Sequence, residues 1–214
     1  MMLYNLHTHK ASGASGVLEI VNQYPNEFDS NATFYSIGIH PWYINDDRLQ
    51  EDLETIEKRL LDENCLALGE CGLDKRIETD FNKQLSVFEK QLELIQKQPK
   101  PVILHCVAAY QEAIAVKKQM KLEVPMIIHG FSKNYQVARS LLDNGFYLSF
   151  GKYLLRNPEL ESVFKAVPDD RFFLETDMVE ETIFQVYEKA ASIKGGTVEA
   201  IVEQNFKNVF NNNK

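Results

Sequence analysis

Residues 65–105, CLALGECGLDKRIETDFNKQLSVFEKQLELIQKQPKPVILH, carry the reading on which the fold turns. The apolar run Cys65–Gly69 has the length of a buried strand, and Val102–His105 is a second such run. Between them, Asp80–Gln98 places Leu85, Phe88, Leu92 and Ile95 at helical spacing along one face. Strand, helix and strand in succession predict two parallel strands joined by a helical crossover.

The same alternation extends outward in both directions. Further short apolar runs are Leu3–His9, Val17–Val21, Phe34–Ile39, Met126–His129, Tyr147–Phe150 and Phe172–Leu174, which makes eight expected strands. Helical patterns cover Asp46–Glu63, Tyr110–Lys121, Asn134–Asn144 and Pro158–Phe164, with Thr182–Ala191 and Thr197–Phe210 after the last strand. Eight strands alternating with helices predict an α/β chain of the (β/α)8 TIM-barrel type. The segments joining the first three strands are too short, or too rich in Gly, Ser, Pro and Asn, to hold full helices. The barrel is therefore expected to lack its first two outer helices, which fits it into 214 residues where about 250 is typical. The Asn-rich tail, Asn211 to Asn213, is expected to fray.

Composition bounds what this scaffold can carry. With 44% hydrophobic residues the chain can bury one sizeable core, and residues 1–214 are expected to form a single domain. No apolar stretch approaches the roughly 20 residues that span a bilayer, and Met1 runs into Leu3-Tyr4-Asn5-Leu6 without a basic leader. A cytoplasmic protein that does not engage membranes is expected. The three cysteines, Cys65, Cys71 and Cys106, match neither a secreted disulfide framework nor a paired zinc knuckle. A net charge of −8 argues against a broad basic surface for long nucleic acid. Nothing in the chain points to an obligate protein partner.

The chemistry-bearing residues sit at the ends of the apolar runs. A lone histidine on a strand is more often structural than ligating, yet all five here, His7, His9, His40, His105 and His129, close such a run or follow within a residue of it. His7 and His9 are two apart, so on a strand they face the same side and can clasp one ion. Glu70 follows Ala67-Leu68-Gly69, and a buried carboxylate needs a compensating partner, which a cation supplies. Asp177 follows Phe172–Thr176; its bland alternative is a helix N-cap, although such a cap sits immediately before its helix. In a parallel barrel the C-terminal ends of the strands share one face, where residues distant in sequence can meet.

Taken in order, His7-Thr8-His9, Gly38-Ile39-His40-Pro41, Gly69-Glu70-Cys71-Gly72-Leu73-Asp74, Pro101-Val102-Ile103-Leu104-His105, His129-Gly130-Phe131 and Glu175-Thr176-Asp177 resemble the successive motifs of the TatD-type metal-dependent deoxyribonucleases, within the amidohydrolase-like barrels. Gln84 and Phe88, and Asn205-Phe206 with Val209-Phe210, extend the resemblance over nearly the whole chain. It implies two divalent ions, Zn, Mg or Mn, with His7, His9 and Asp177 on one, His105 and His129 on the other, and Glu70 near both. It also implies Asp177, with Glu70 next in line, as the catalytic base. Glu175 and Asp74 are expected to support the ligands, as is Asn5, which stands where the family usually has Asp. His40 is expected at substrate phosphate or as a hydrogen bond that shapes the IHPW turn. Lys10, Lys75, Arg76, Lys133, Lys152 and Arg156 are expected in the loops that follow strand ends, where they would form a phosphate-binding rim.

Other departures bear on substrate. After Asp177 come Met178-Val179-Glu180-Glu181 instead of a Pro-containing loop, and Cys106 and Val107 stand where a Ser/Thr and an Arg are common. Three functions follow. The leading one is phosphodiester hydrolysis at DNA ends or on short single strands. The others are hydrolysis of a small phosphorylated or amide substrate, and non-catalytic binding on the same scaffold.

Overall fold

The computed structural model describes residues 2–178 and 180–210, so the Asn211–Asn213 tail and Val179 lie outside the described residues. The strands are β1 (Leu3–Thr8), β2 (Val17–Gln23), β3 (Tyr35–Ile37), β4 (Cys65–Asp74), β5 (Val102–Val107), β6 (Met126–Ile128), β7 (Phe146–Phe150) and β8 (Phe172–Leu174). They follow the order β1-β2-β3-β4-β5-β6-β7-β8 in the sheet. The helices are α1 (Leu49–Arg59), α2 (Phe81–Lys97), α3 (Tyr110–Gln119), α4 (Tyr135–Asp143), α5 (Lys152–Arg156), α6 (Glu159–Ala166), α7 (Ile183–Lys194) and α8 (Val198–Phe210). Strands in sequence order with helical crossovers define the (β/α)8 TIM-type class. No helix separates β1 from β2, and only a 3-10 turn, Pro25–Glu27, separates β2 from β3. The two outer helices expected to be missing are missing.

The chain forms two compact units, one of Met1–Val21 with Ile127–Lys214, the other of Asn22–Met126. In the first, β7 and β8 pair in parallel, Leu148 opposite Phe172 and Phe150 opposite Leu174. β8 leads back to β1 through Asp177, whose N–H donates to the His7 carbonyl at 2.9 Å. The core here is aromatic. Phe131, Phe150, Phe164 and Phe172 contact in series at centroid distances of 5.6, 4.9 and 4.9 Å. All four are buried, each worth about 2 kcal/mol of transfer free energy. Asn205 on α8 donates to the carbonyls of Asp169 and Phe172, which fixes the start of β8.

In the second unit β4 pairs with β5 in parallel, Gly72 opposite His105 and Asp74 opposite Val107. The register shifts between Leu68 and Cys71. Gly72 has φ of +140°, and a Cβ there would lie 2.0 Å from the His105 carbonyl oxygen, so only glycine lets the two backbones approach this closely. Helix α2 packs Val87, Phe88, Leu92 and Ile95 inward, together with two buried glutamines.

Two expectations need correction. Glu70 does not end its strand: β4 continues to Asp74, because pairing with β5 shifts register between Leu68 and Cys71 and resumes beyond it, where Gly72 lets the backbones approach. Lys152 and Arg156 are not in an irregular loop but begin and end α5, five residues too short to register as a helical period.

Candidate metal centre

In the first unit, β1 and the segments after β6 and β8 hold the acid and the imidazoles together. The His7, His129 and Asp177 ligand atoms all lie within 4.8 Å of one another. Asp177 Oδ1 is 3.8 Å from His7 Nε2 and 3.5 Å from His9 Nε2, and its Oδ2 accepts from Lys152 Nζ at 2.9 Å. Burial pushes the Asp177 carboxyl up, but His129, His7 and Lys152 outweigh burial and hold it below the usual carboxylate range. It is ionised at neutral pH. Asp177 has φ of +61° and is not a helix cap: Thr182 caps α7, in a reciprocal capping box with Gln185.

Glu175, 1% exposed, accepts from the Gly130 N–H at 2.8 Å and faces His129 Nδ1 at 3.3 Å through the same oxygen. A carboxylate there favours the tautomer with Nδ1 protonated, which leaves His129 Nε2 to act as a ligand. Asn5 donates to the Thr176 hydroxyl and accepts from its N–H, at 2.9 and 3.0 Å, and so holds the residue before Asp177. Beside this group lies a cavity of about 570 Å3, lined in part by His9, Lys10, Glu19, Asp177, Met178 and Phe184. Lys10 is exposed and Lys133 half-buried.

In the second unit Glu70 Oε1 lies 3.0 Å from His105 Nδ1 and 3.2 Å from His40 Nε2. His105 Nε2 is 3.2 Å from Asp74 Oδ2, which also accepts from the Trp42 indole N–H at 2.8 Å. Burial raises the Asp74 carboxyl, but Trp42, the Arg76 N–H and His105 together leave it lowered. His40 Nδ1 accepts from the Trp42 backbone N–H at 3.1 Å. A neutral imidazole that accepts at Nδ1 carries its proton at Nε2, so His40 donates to Glu70 and does not ligate while the turn is intact. Lys75 pairs with Glu112, and its ammonium lies 5.1 Å from the Phe81 ring centroid.

Two positioning residues, Gln91 and Asn22, escaped the motifs, and a third, Gln84, carried the resemblance without a role assigned to it. Gln91 accepts from the Ile39 N–H at 2.7 Å and donates to the Ile39 carbonyl at 3.2 Å, which fixes the residue before His40. Gln84, two turns earlier on the same face of α2, does the same for Asp74 at 2.8 and 3.0 Å. Glutamines seven apart on an otherwise apolar helix face were the available signal. Asn22 accepts from the Glu70 N–H at 2.8 Å, and no feature of its sequence context marks it.

The donors suit a borderline or hard divalent ion: imidazole nitrogens with an ionised carboxylate, buried or half-buried and held by second partners. His7, His9, His129 and Asp177 in the first unit and Glu70 with His105 in the second are the residues that would hold such ions.

Fold and donor set together define a (β/α)8 protein built to hold metal ions. The family model for TatD-related DNases matches residues 4–211, and the chain belongs to that family. An uncharacterized metal-dependent hydrolase of Escherichia coli, YcfH, is 35% identical over 148 residues, 67% of this chain and 54% of its own length. The 3'-5' ssDNA/RNA exonuclease TatD of Klebsiella pneumoniae is 28% identical over 180 residues, 78% of this chain and 68% of its own. The structure of the TatD homolog YjjV from Escherichia coli superposes with a TM-score of 0.84 at 20% identity, covering 98% of both chains. The chain spans about half the length of curated relatives such as YcfH.

Proposed function

We propose that the protein is a divalent-metal-dependent hydrolase that cleaves phosphodiester bonds at DNA ends or on short single strands. The observation that carries this reading is the Asp177 carboxylate, half-buried beside His7, His9 and His129 and held ionised, with the Lys152 ammonium on its second oxygen. A divalent ion held there supplies charge against a phosphate oxygen and acidifies a water. Asp177 accepts the proton of the attacking water as that water adds to phosphorus and the ester oxygen leaves. Lys152, Lys10 and Lys133 furnish cations for the phosphates that flank the cleaved one. In the second unit His40 and Asp74 hold the Glu70 and His105 side chains in place for metal. Membership of a DNase family and the exonuclease named in Klebsiella support the choice of nucleic acid as substrate.

The test is the initial rate, below saturation, on a 5′-labelled single strand with Mg, Mn or Zn at several salt concentrations. A ladder that shortens from one end is expected, with the logarithm of the rate falling by about 0.7 per phosphate contact per decade of salt. About two or three effective contacts are expected on so acidic a protein. A second reading, a small phosphoester, is favoured by the cavity beside His9 and Asp177, whose size suits one small ligand. Turnover of such an ester without cleavage of any oligonucleotide would select it.

A further inference from the structure

The second unit holds another cavity, of about 510 Å3, lined by Tyr24, Asn26, Tyr43, Ile44, Asn45 and Arg48 together with Glu27. None of the metal-site residues lines it. Two of its lining residues are aromatic and meet at a corner: the Tyr24 and Tyr43 centroids are 5.2 Å apart with their planes at 84°. Tyr43 is 51% exposed, a large ring left half in solvent. Arg48 has a buried Nε that makes no hydrogen bond, its nearest carboxylate, Asp52, being 3.6 Å away.

A right-angled pair of rings accepts a flat ligand face-on against one ring and edge-on against the other. The Asn26 and Asn45 amides offer both donors and acceptors at the rim, and an arginine adds a planar cation that stacks or forks. With Glu27 opposing Arg48 the lining has no net charge, which disfavours a phosphate and suits a neutral heteroaromatic ring. The placement also fits. Tyr43 also contacts His40, centroids 5.5 Å apart, and His40 donates to Glu70.

We infer that the Tyr24–Tyr43–Arg48 cavity is a nucleobase subsite, which holds an unstacked base of the bound single strand. The inference rests on the nucleic-acid reading above and adds to it a base-dependent grip on single strands. Stacking of this kind tolerates any base, so sequence preference is weak and duplex, with its bases stacked away, is excluded from the cavity.

The experiment uses the full chain, with Trp42, the single tryptophan, as fluorescent reporter 5.2 Å from the His40 ring. Adenosine and ribose 5-phosphate are titrated to millimolar concentrations into the parent, Tyr24→Phe and Tyr24→Leu. Adenosine is expected to bind the parent and Tyr24→Phe alike, roughly ten-fold more tightly than it binds Tyr24→Leu, with ribose 5-phosphate weaker throughout. Oligonucleotides carrying one abasic site at successive positions are then compared. One position is expected to raise KM of the parent roughly ten-fold with a smaller change in kcat, and to leave Tyr24→Leu indifferent. No adenosine binding to the parent, or equal abasic sensitivity in parent and Tyr24→Leu, overturns the subsite. Adenosine binding that depends on Tyr24 without cleavage of any phosphodiester keeps the subsite and removes the hydrolase reading. Cleavage indifferent to Tyr24 does the reverse.

Discussion

Asp177 is one residue on which several forces converge. Burial pushes its carboxyl up, yet His129, His7 and Lys152 together hold it below the usual range, and a charged carboxylate is what both metal binding and proton acceptance require. Asp177→Asn preserves shape but cannot take a proton, so kcat on an oligonucleotide should fall about 100-fold or more while the circular dichroism spectrum stays that of the parent. A variant still turning over within ten-fold would move the base to Glu70. Away from the site, Tyr35 donates to Asp62 at 2.7 Å, and that hydrogen bond, with help from Arg59, lowers the Asp62 carboxyl against a smaller opposing burial effect. A carboxyl lowered in the folded state stabilises above its unfolded pKa of about 3.9 and loses that contribution as pH falls through the folded value. Tyr35→Phe should therefore cost most at neutral pH and progressively less in acid. Urea unfolding at pH 7 and pH 3 measures this; a penalty independent of pH would exclude the ionised Asp62 as its source. At this scale the sequence disclosed the histidines and acids, because each ends or interrupts an apolar run where it is chemically out of place. It hid Asn22 and the tautomer of His40, since neither a lone asparagine nor a ring proton leaves a pattern.

Helix α2 shows what an element contributes beyond its apolar stripe. Gln84 and Gln91 are each 1% exposed, yet every hydrogen bond they make to β4 or to Ile39 satisfies a backbone group that the sheet leaves unpaired. The helix thereby sets the height of His40 and Asp74 relative to Glu70 and His105. Gln91→Leu keeps the volume and helix propensity but strands the Ile39 N–H and carbonyl, at a cost of about 2–4 kcal/mol in urea unfolding. The exposed-surface control Gln50→Leu should cost less than about 0.5 kcal/mol. Equal costs would mean that the clamp is incidental. The alternation of strands and helices was legible because buried strands are short, continuous and bounded by turn residues. The extension of β4 past Gly69 was not, because glycine reads as a breaker until its partner strand is known to pass within contact distance. Nor was α5, where five residues give periodicity too few terms.

Across the whole molecule, most of the sequence-derived architecture rests on hydrophobic pattern, whereas the assignment of ligands to ions rested on resemblance. Among the described residues no helix is long and apolar enough to cross a membrane. The two units each carry a donor group made from their own strands: His7, His129 and Asp177 in one, Glu70 with His105 in the other. Ions that bind only the folded chain stabilise it by mass action, about 2.7 kcal/mol at a free concentration one hundred times Kd. For a chain of this size each kcal/mol raises Tm by about 2–4 °C, so one such ion should add roughly 5–10 °C. Purified protein stripped with a chelator should melt lower than protein returned to Zn, Mn or Mg, and elemental analysis should give up to two ions per chain. His129→Ala should remove the part of the metal-dependent gain that arises in the first unit and His105→Ala the part from the second, each against its own stripped reference. If both variants keep the full metal-dependent rise in Tm, the histidines are structural and the ions bind elsewhere. If stripped and metal-loaded parent melt together and no metal is found, the chain has the fold of a metal hydrolase without the affinity of one, and binding without catalysis becomes the reading to pursue.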